Sequence, residues 1–288
     1  MDKNVNRKNA DHLIGGDTMT KNKRMILLLL LAVGVLFLTA CESDSSTKTK
    51  KTTLRVGMEL KYPPFESKNR NNQPDGASVM LANELGKVLG VTVEIIDISY
   101  PNLISSLETD KIDLILSSMS ITENRLEKIA FSEPYTSSPL FMLAFKGSKV
   151  KSPADLNDPS VIIVSKTGTV GAIWAAKNAP QAQIRNIDDE NGAVSEVANG
   201  NADVFIYDAL SVIRQHENYP DTTRLILENL PNMQGWAIGV KKGNRALLNQ
   251  TNLFIQNAKI NGTFDRIREL YLKDEVELFK RYNLKFFF

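Results

Sequence analysis

Between residues 53 and 207 the chain alternates short apolar runs rich in β-formers with helical, amphipathic stretches, and it does so in two successive rounds. That rhythm restricts the fold more than any other feature. Buried strands separated by helices are joined by crossovers and not by hairpins, which specifies an α/β fold with a mostly parallel sheet. The first round reads as strands over residues 53–58, 91–98 and 112–116, with helices over 79–89, 103–107 and 123–130. The second opens with a short helix at 153–156. It continues as strand 161–164, helix 170–177, strand 184–187, helix 191–199 and strand 203–207. Two similar units predict two lobes, 53–138 plus 237–288 and 139–236, with the apolar stretches 140–145 and 236–240 as the strands that cross between them.

The first forty residues read as an address. Lys21, Lys23 and Arg24 precede an apolar run, 25–38, that is short of the roughly 20 residues a spanning helix needs. Small residues follow, up to the chain's single cysteine, Cys41. The segment resembles a bacterial lipoprotein signal peptide, which implies cleavage before Cys41 and lipidation of its sulfur; the other reading is an uncleaved signal anchor with an incidental cysteine. Residues 1–18 are polar and aperiodic, so Met19 is the expected true start of the 1–40 signal. Residues 41–52 are small and polar and read as a tether. Beyond Cys41 there is no thiol for disulfides, CxxC chemistry or thiolate metal sites. Residues 1–40 hold six of the 35 Lys+Arg and three of the 33 Asp+Glu, so the remainder lies within one charge of neutral and nothing points to nucleic acid.

Several residues ask for a partner. Thr122 reads as an N-cap, which puts Arg125 in the first turn of a helix, where a cation opposes the macrodipole by a few tenths to about 1 kcal/mol. It is either a solvated surface arginine or a group awaiting an anion. The stretch Lys166-Thr167-Gly168-Thr169-Val170-Gly171 joins a strand to a helix and is either an ordinary turn or a cradle for an oxygen anion. Asp208 closes an apolar strand, as a helix N-cap or as a contact at the strand's C-terminal edge. Tyr62 precedes Pro63 and Pro64, which stiffen its loop. Phe65 belongs to the core, and Trp174, Met233 and Trp236 to core or hinge packing. His216 reads as a surface residue after a helix over 211–215. Residues 275–280 read as a solvated helix face, and the terminal NLKFFF as the docking segment of a C-terminal helix.

The pieces RVGMELKYPPFESKN, LISSLETDKIDLILSSMSITENR, IAFSEPY, VSKTGTVGA, NGNADVFIYD and WAIGVKKGN occur in one order. From about Thr53 onward they resemble the bacterial extracellular solute-binding proteins, family 3, of polar amino-acid ABC importers, especially the histidine and lysine/arginine/ornithine binders. The resemblance implies a type II periplasmic-binding-protein-like fold that closes around an L-amino acid. It places the ligand carboxylate on the Arg125 fork, with the Thr169 side chain and the Val170 N–H beside it. The family usually has a second threonine where this chain has Val170, so only the main-chain contact carries over there. It places the ammonium on Asp208, with Ser118 and Ser120 completing both contacts and Ser117 facing the ligand side chain. Tyr62 and Tyr100 match the rings that flank that side chain. Glu59 matches an acid reaching a polar or cationic group, which leans towards arginine, lysine, ornithine or histidine. The implied partners are the amino acid, an ABC permease with its ATPase, and the membrane through a lipid on Cys41. The receptor would be an extracytoplasmic, membrane-anchored monomer without metal or cofactor and not an enzyme. Two other readings use the same fold: a cyclohexadienyl or arogenate dehydratase, with Glu59 or Glu66 as general acid, and an amino-acid sensor co-receptor.

Overall fold

A computed structural model of the protein describes residues 52–230 and 235–288. The expected signal peptide, Cys41, all but the last residue of the tether, and Met233 lie outside the described residues. Twelve strands are described: β1 (Thr53–Met58), β2 (Ser67–Lys68), β3 (Pro74–Asp75), β4 (Thr92–Asp97), β5 (Leu114–Ile115), β6 (Ile129–Phe131), β7 (Leu140–Phe145), β8 (Ile162–Lys166), β9 (Gln183–Ile187), β10 (Val204–Asp208), β11 (Thr223–Ile226) and β12 (Gly239–Lys241). They form two five-stranded sheets, ordered β4-β1-β5-β12-β6 and β11-β7-β10-β8-β9, and a small β2-β3 ribbon. The helices are α1 (Ala77–Leu89), α2 (Leu103–Glu108), α3 (Glu123–Leu126), α4 (Val170–Asn178), α5 (Glu190–Ala198), α6 (Ala209–Asn218), α7 (Arg245–Ile260), α8 (Thr263–Tyr271) and α9 (Lys273–Arg281). Among the described residues no helix is long and apolar enough to cross a membrane.

Each sheet is parallel where the crossover rhythm occurs and antiparallel where the chain returns. β1 pairs parallel with β4 and β5, and β8 with β9 and β10. β12 runs antiparallel to β5 and β6, and β7 to β10 and β11. The parallel strands bring their C-terminal ends to the gap between the sheets, which is where α/β folds place ligands. Glu59 follows β1, Ser117 lies just past β5, Thr169 follows β8, and Asp208 ends β10.

Several local expectations change. The helix foreseen over 123–130 stops at Leu126, and Ile129 pairs instead with Lys241 in β12. A buried isoleucine within reach of an open strand gains ladder hydrogen bonds that a second helical turn could not offer, and Leu126, foreseen on the apolar helix face, is 42% exposed. The apolar stretch 140–145 is β7, inside one sheet, and of 236–240 only Gly239 and Val240 belong to β12, inside the other. The chain changes sheets just beside them, where the two passages pair antiparallel: Trp236 N–H donates to Thr136 O (2.8 Å) and Tyr135 N–H to Trp236 O (2.9 Å). The terminal phenylalanines follow α9 as an irregular tail. Phe287 and Phe288 pack against Phe65 at 6.2 and 5.7 Å between centroids, and Phe287 against Trp236 at 5.4 Å, so the tail underpins the crossing. His216 lies within α6, its Nδ1 3.0 Å from Thr223 Oγ1. Glu275, expected on a solvated face, is buried and paired with Arg214.

Helix α4 sits so close to β10 that a Cβ on Gly171 would fall 2.3 Å from Ile206 O. Nothing on a strand carbonyl can yield, so Gly171→Ala must lift the helix and shift Thr169 and Val170. The expected loss is about 1–3 kcal/mol of stability, read as a lowered Tm. An unchanged Tm would show that α4 has slack.

Candidate ligand-binding site

The first half of the site is organised by carboxylates and hydroxyls at the ends of β1 and β5. Ser117 accepts the Glu59 N–H (3.0 Å), which locks the two strand ends together. Ser118 has φ 44°, a left-handed conformation rare for serine, and the turn it makes aims its hydroxyl at Glu66 Oε2 (3.1 Å). Glu66 is 1% exposed and also receives Ser78 Oγ (2.6 Å) and Ser117 Oγ (3.4 Å). Burial raises its pKa to about 8 in spite of those three donors, with the nearby Glu59 charge adding to the rise.

Arg125 is buried, not solvated. Thr122 caps its turn by accepting the Arg125 N–H (3.3 Å). Its guanidinium donates to Ser120 O, to Gly168 O (2.9 Å) and to Tyr100 Oη (3.3 Å), and lies 5.6 Å from the Tyr100 ring centre. None of these partners is a carboxylate. Gly168 belongs to the turn after β8, so Arg125 already reaches across the gap. At φ 75° that turn needs the glycine.

On the far side Asp208 satisfies both readings of its position at once. Its Oδ1 takes the N–H groups of Leu210 (3.0 Å) and Ser211 (3.2 Å), capping α6, and the hydroxyl of Tyr62 (2.6 Å) from the opposite half. Burial pushes the Asp208 carboxyl up, opposed by those donors, and pushes the Tyr62 phenol well up. Thr169 spends its hydroxyl proton on Lys166 O (2.7 Å), and Val170 begins α4, where main-chain N–H groups have no partner within the helix.

Glu59, Tyr62, Tyr100, Ser117, Ser118, Ser120, Thr169, Val170 and Asp208 surround one cavity between the sheets. Arg125 stands behind its Ser120 and Tyr100 wall. Tyr62 stacks on Phe65 (5.3 Å) and meets Trp236 edge-on (6.0 Å), whereas the Tyr100 ring has both Arg125 and Lys166 near it, 5.6 and 5.9 Å from its centre. The same cavity is lined by Glu66, Tyr207 and Trp236, which sequence reasoning had left to a general-acid alternative, unassigned, and to packing, respectively.

Lys166, which the sequence places at the start of the 166–171 turn without a role of its own, proves to be an ion-pair partner. Its Nζ forms a buried ion pair with Glu59 Oε2 across the gap, and Glu59 Oε1 accepts the Tyr100 N–H (3.1 Å). The available signal was a lysine at the C-terminal end of an otherwise apolar buried strand, where an unpaired ammonium would be too costly to bury. Outside the cavity Arg214 of α6 reaches Pro63 O (2.7 Å) and Glu275 of α9, and Arg281 of α9 holds Glu217 of α6 at 2.7 and 2.9 Å. Among the described residues no three His, Cys, Asp or Glu side chains gather as a metal-holding set.

The family model of the bacterial extracellular solute-binding proteins, family 3, matches residues 54–274. The chain is similar to the L-cystine-binding protein TcyJ of Escherichia coli (strain K12), 26% identical over 87% of this chain and 94% of that protein. Among solved structures it is similar to an ancestral arginine-binding protein bound to arginine, with a TM-score of 0.70 and 28% identity over 77% of this chain and 99% of that one. It is also similar to an ancestral amino acid-binding protein that is a precursor of cyclohexadienyl dehydratase, with a TM-score of 0.68 and 32% identity over 76% of this chain and 95% of that one.

Proposed function

The chain belongs to the bacterial extracellular solute-binding proteins, family 3, with the two-lobed fold of type II periplasmic amino-acid-binding proteins, and from that membership we propose that it binds one L-amino acid between its lobes and delivers it to an ABC permease. The lobes are residues 53–138 with 237–288, and 139–236. The protein works as a monomer outside the cytoplasm, held to the membrane by a lipid on Cys41. One observation carries this reading: a buried guanidinium bonded only to neutral oxygens stands behind the Ser120 and Tyr100 wall of the cavity and reaches Gly168 O, and a buried carboxylate, Asp208, lines the same cavity.

A free amino acid supplies the opposite of each. Its carboxylate takes the place of Gly168 O on Arg125, bidentately, and meets the Val170 N–H at the start of α4, with Thr169 beside it. Its ammonium goes to Asp208, with Ser118 and Ser120 accepting the remaining protons. Because the ligand touches both lobes, it favours the closed form through contacts that the open form lacks.

The ligand side chain then points towards Glu59, Ser117, Tyr62 and Tyr100. Sequence reasoning leaned towards a cationic side chain there. The Lys166–Glu59 pair argues otherwise, since a second cation would have to displace Lys166 or lie against it. A net-neutral side chain with both a donor and an acceptor suits the pair: the carboxamide of glutamine, or the second zwitterionic head of cystine. A thermal-shift screen of the twenty amino acids with ornithine and cystine is expected to raise Tm most with L-glutamine or L-cystine. A larger shift with arginine or lysine would reverse the side-chain assignment, and no shift with any would remove the receptor reading. The similarity to a dehydratase precursor, with the raised pKa of Glu66, keeps one enzymatic reading open to test. Turnover of prephenate or arogenate would establish it; the receptor reading expects none.

A further inference from the structure

Glu66 has no part in the contacts assigned above, yet its carboxyl lies on the cavity wall. The backbone of Glu66 is fixed to Tyr62 by a two-way pairing, Tyr62 N–H to Glu66 O (2.8 Å) and Glu66 N–H to Tyr62 O (2.9 Å). That pairing fixes its Cα to the loop that carries the Tyr62–Asp208 bridge, and three hydroxyl donors hold its carboxyl in place. Its hydroxyl neighbours come from two elements: Ser78 in α1, and Ser117 and Ser118 after β5. Ser117 and Ser118 also line the cavity; Ser78 does not. The titratable groups that face Glu66 are Glu59 from the end of β1, Tyr100 from the turn before α2, and Tyr135 from the crossing segment. None is a cation; of the two buried cations beside the cavity, Lys166 is paired with Glu59, and Arg125 donates to Ser120 O, Gly168 O and Tyr100 Oη.

A serine hydroxyl has one proton to give. Opposite a carboxylate, Ser117 and Ser118 point that proton at Glu66 and turn lone pairs to the cavity, so the wall accepts hydrogen bonds. Opposite a carboxylic acid, Glu66 has a proton of its own to place. When a cavity serine accepts it, that serine turns its hydroxyl proton outward and the wall donates. The same change adds or removes one negative charge next to Glu59.

We propose that Glu66 is a proton-dependent positioning residue that sets the charge preference of the cavity: neutral, it turns a serine proton towards ligand oxygens; ionised, it turns the wall into an acceptor that favours a cationic side chain. The proposal rests on the amino-acid reading of the cavity. A titration near pH 8, where burial places Glu66, puts the switch within an accessible range.

The test is the ratio of the affinities for L-arginine and L-glutamine, measured by calorimetry between pH 6.5 and 9.5. Titration of the ligand's own α-amino group is common to both probes and cancels in the ratio. In the parent the ratio rises roughly tenfold in favour of arginine as Glu66 ionises, since one pK unit of coupling corresponds to a factor of ten. In Glu66→Gln, permanently neutral and nearly the same shape, the ratio stays flat. In Ser78→Ala, which removes a donor that favours the carboxylate from outside the cavity, the rise moves to higher pH. A flat ratio in the parent, or an equal rise in Glu66→Gln, overturns the proposal.

Failure of the receptor reading looks different: neither amino acid binds the parent at any pH. The melting of the unliganded proteins then decides the role of Glu66. Its pKa is raised on folding, from the model-compound value of 4.5 to about 8, so its contribution to stability is full below about pH 4.5 and lost by about 8. The Tm gap between Glu66→Gln and the parent opens across that window and stays constant above it. A gap independent of pH would show that Glu66 holds no proton and would end the proposal.

Discussion

Arg125→Ala is expected to abolish detectable amino-acid binding while leaving the fold intact. The guanidinium now satisfies Ser120 O and Gly168 O, two carbonyls that can relax towards water in the variant, so the damage to the unliganded protein is modest. The liganded protein has no such escape. A ligand carboxylate closed into the gap without its counter-charge loses about 3–5 kcal/mol, a factor of roughly a hundred to several thousand in Kd. Asp208→Asn tests the opposite pole with little structural damage, because the amide oxygen still caps α6 through Leu210 and Ser211. It should weaken binding by a similar factor. Calorimetry on both variants, with circular dichroism to confirm folding, checks the pair. Binding within tenfold of the parent in either would dissociate that residue from the ligand.

Lys166→Met is expected to have the second large effect, in two directions. With the ammonium gone, Glu59 remains buried with no counter-charge, and the closed arrangement is weakened by about 3–5 kcal/mol. A ligand that brings its own cation repairs this. The affinity for L-arginine should therefore rise in the variant, while that for L-glutamine or L-cystine falls. The double variant Glu59→Gln/Lys166→Met removes both charges, and should restore stability without restoring the preference for arginine. A fall for all probes alike in the single variant would mean that the ion pair holds the lobes together and does not select the ligand.

The architecture was largely legible because its signal is local. Strands β1, β4, β8, β9 and β10 and helices α1, α4, α5 and α6 each carry a complete apolar run or period, bounded by glycine, polar caps or hydroxyls. The helix over 123–130 failed for want of length. Leu126, Ile129 and Ala130 are too few to separate a helical period from a turn followed by a strand, and β12, which settles the matter, lies more than 100 residues away. β11 was missed for the same reason, since its partner β7 supplies the pattern that four residues cannot.

The site was legible wherever a residue stood at a strand end or a helix start. Glu59, Ser117, Thr169 and Asp208 reach the gap because the ends of parallel strands converge there. What one sequence could not show was pairing across the gap. Nothing near Glu59 in the chain announces that Lys166 will neutralise it, nor near Tyr62 that its hydroxyl will lie on Asp208. The burial of Glu66 likewise emerges only when α1 and the turn after β5 are brought over it. Charge balance inside a cleft is a property of the closed lobes, and for this reason the ligand's class was harder to read than its presence.

The most direct measurement is a crystal structure of the protein with whichever amino acid raises Tm most. The ligand carboxylate should lie on the Arg125 fork and its ammonium on Asp208, with Glu59 and Lys166 at the far end of the side chain. A ligand that leaves either Arg125 or Asp208 without contact, or that binds outside the gap, would contradict the account.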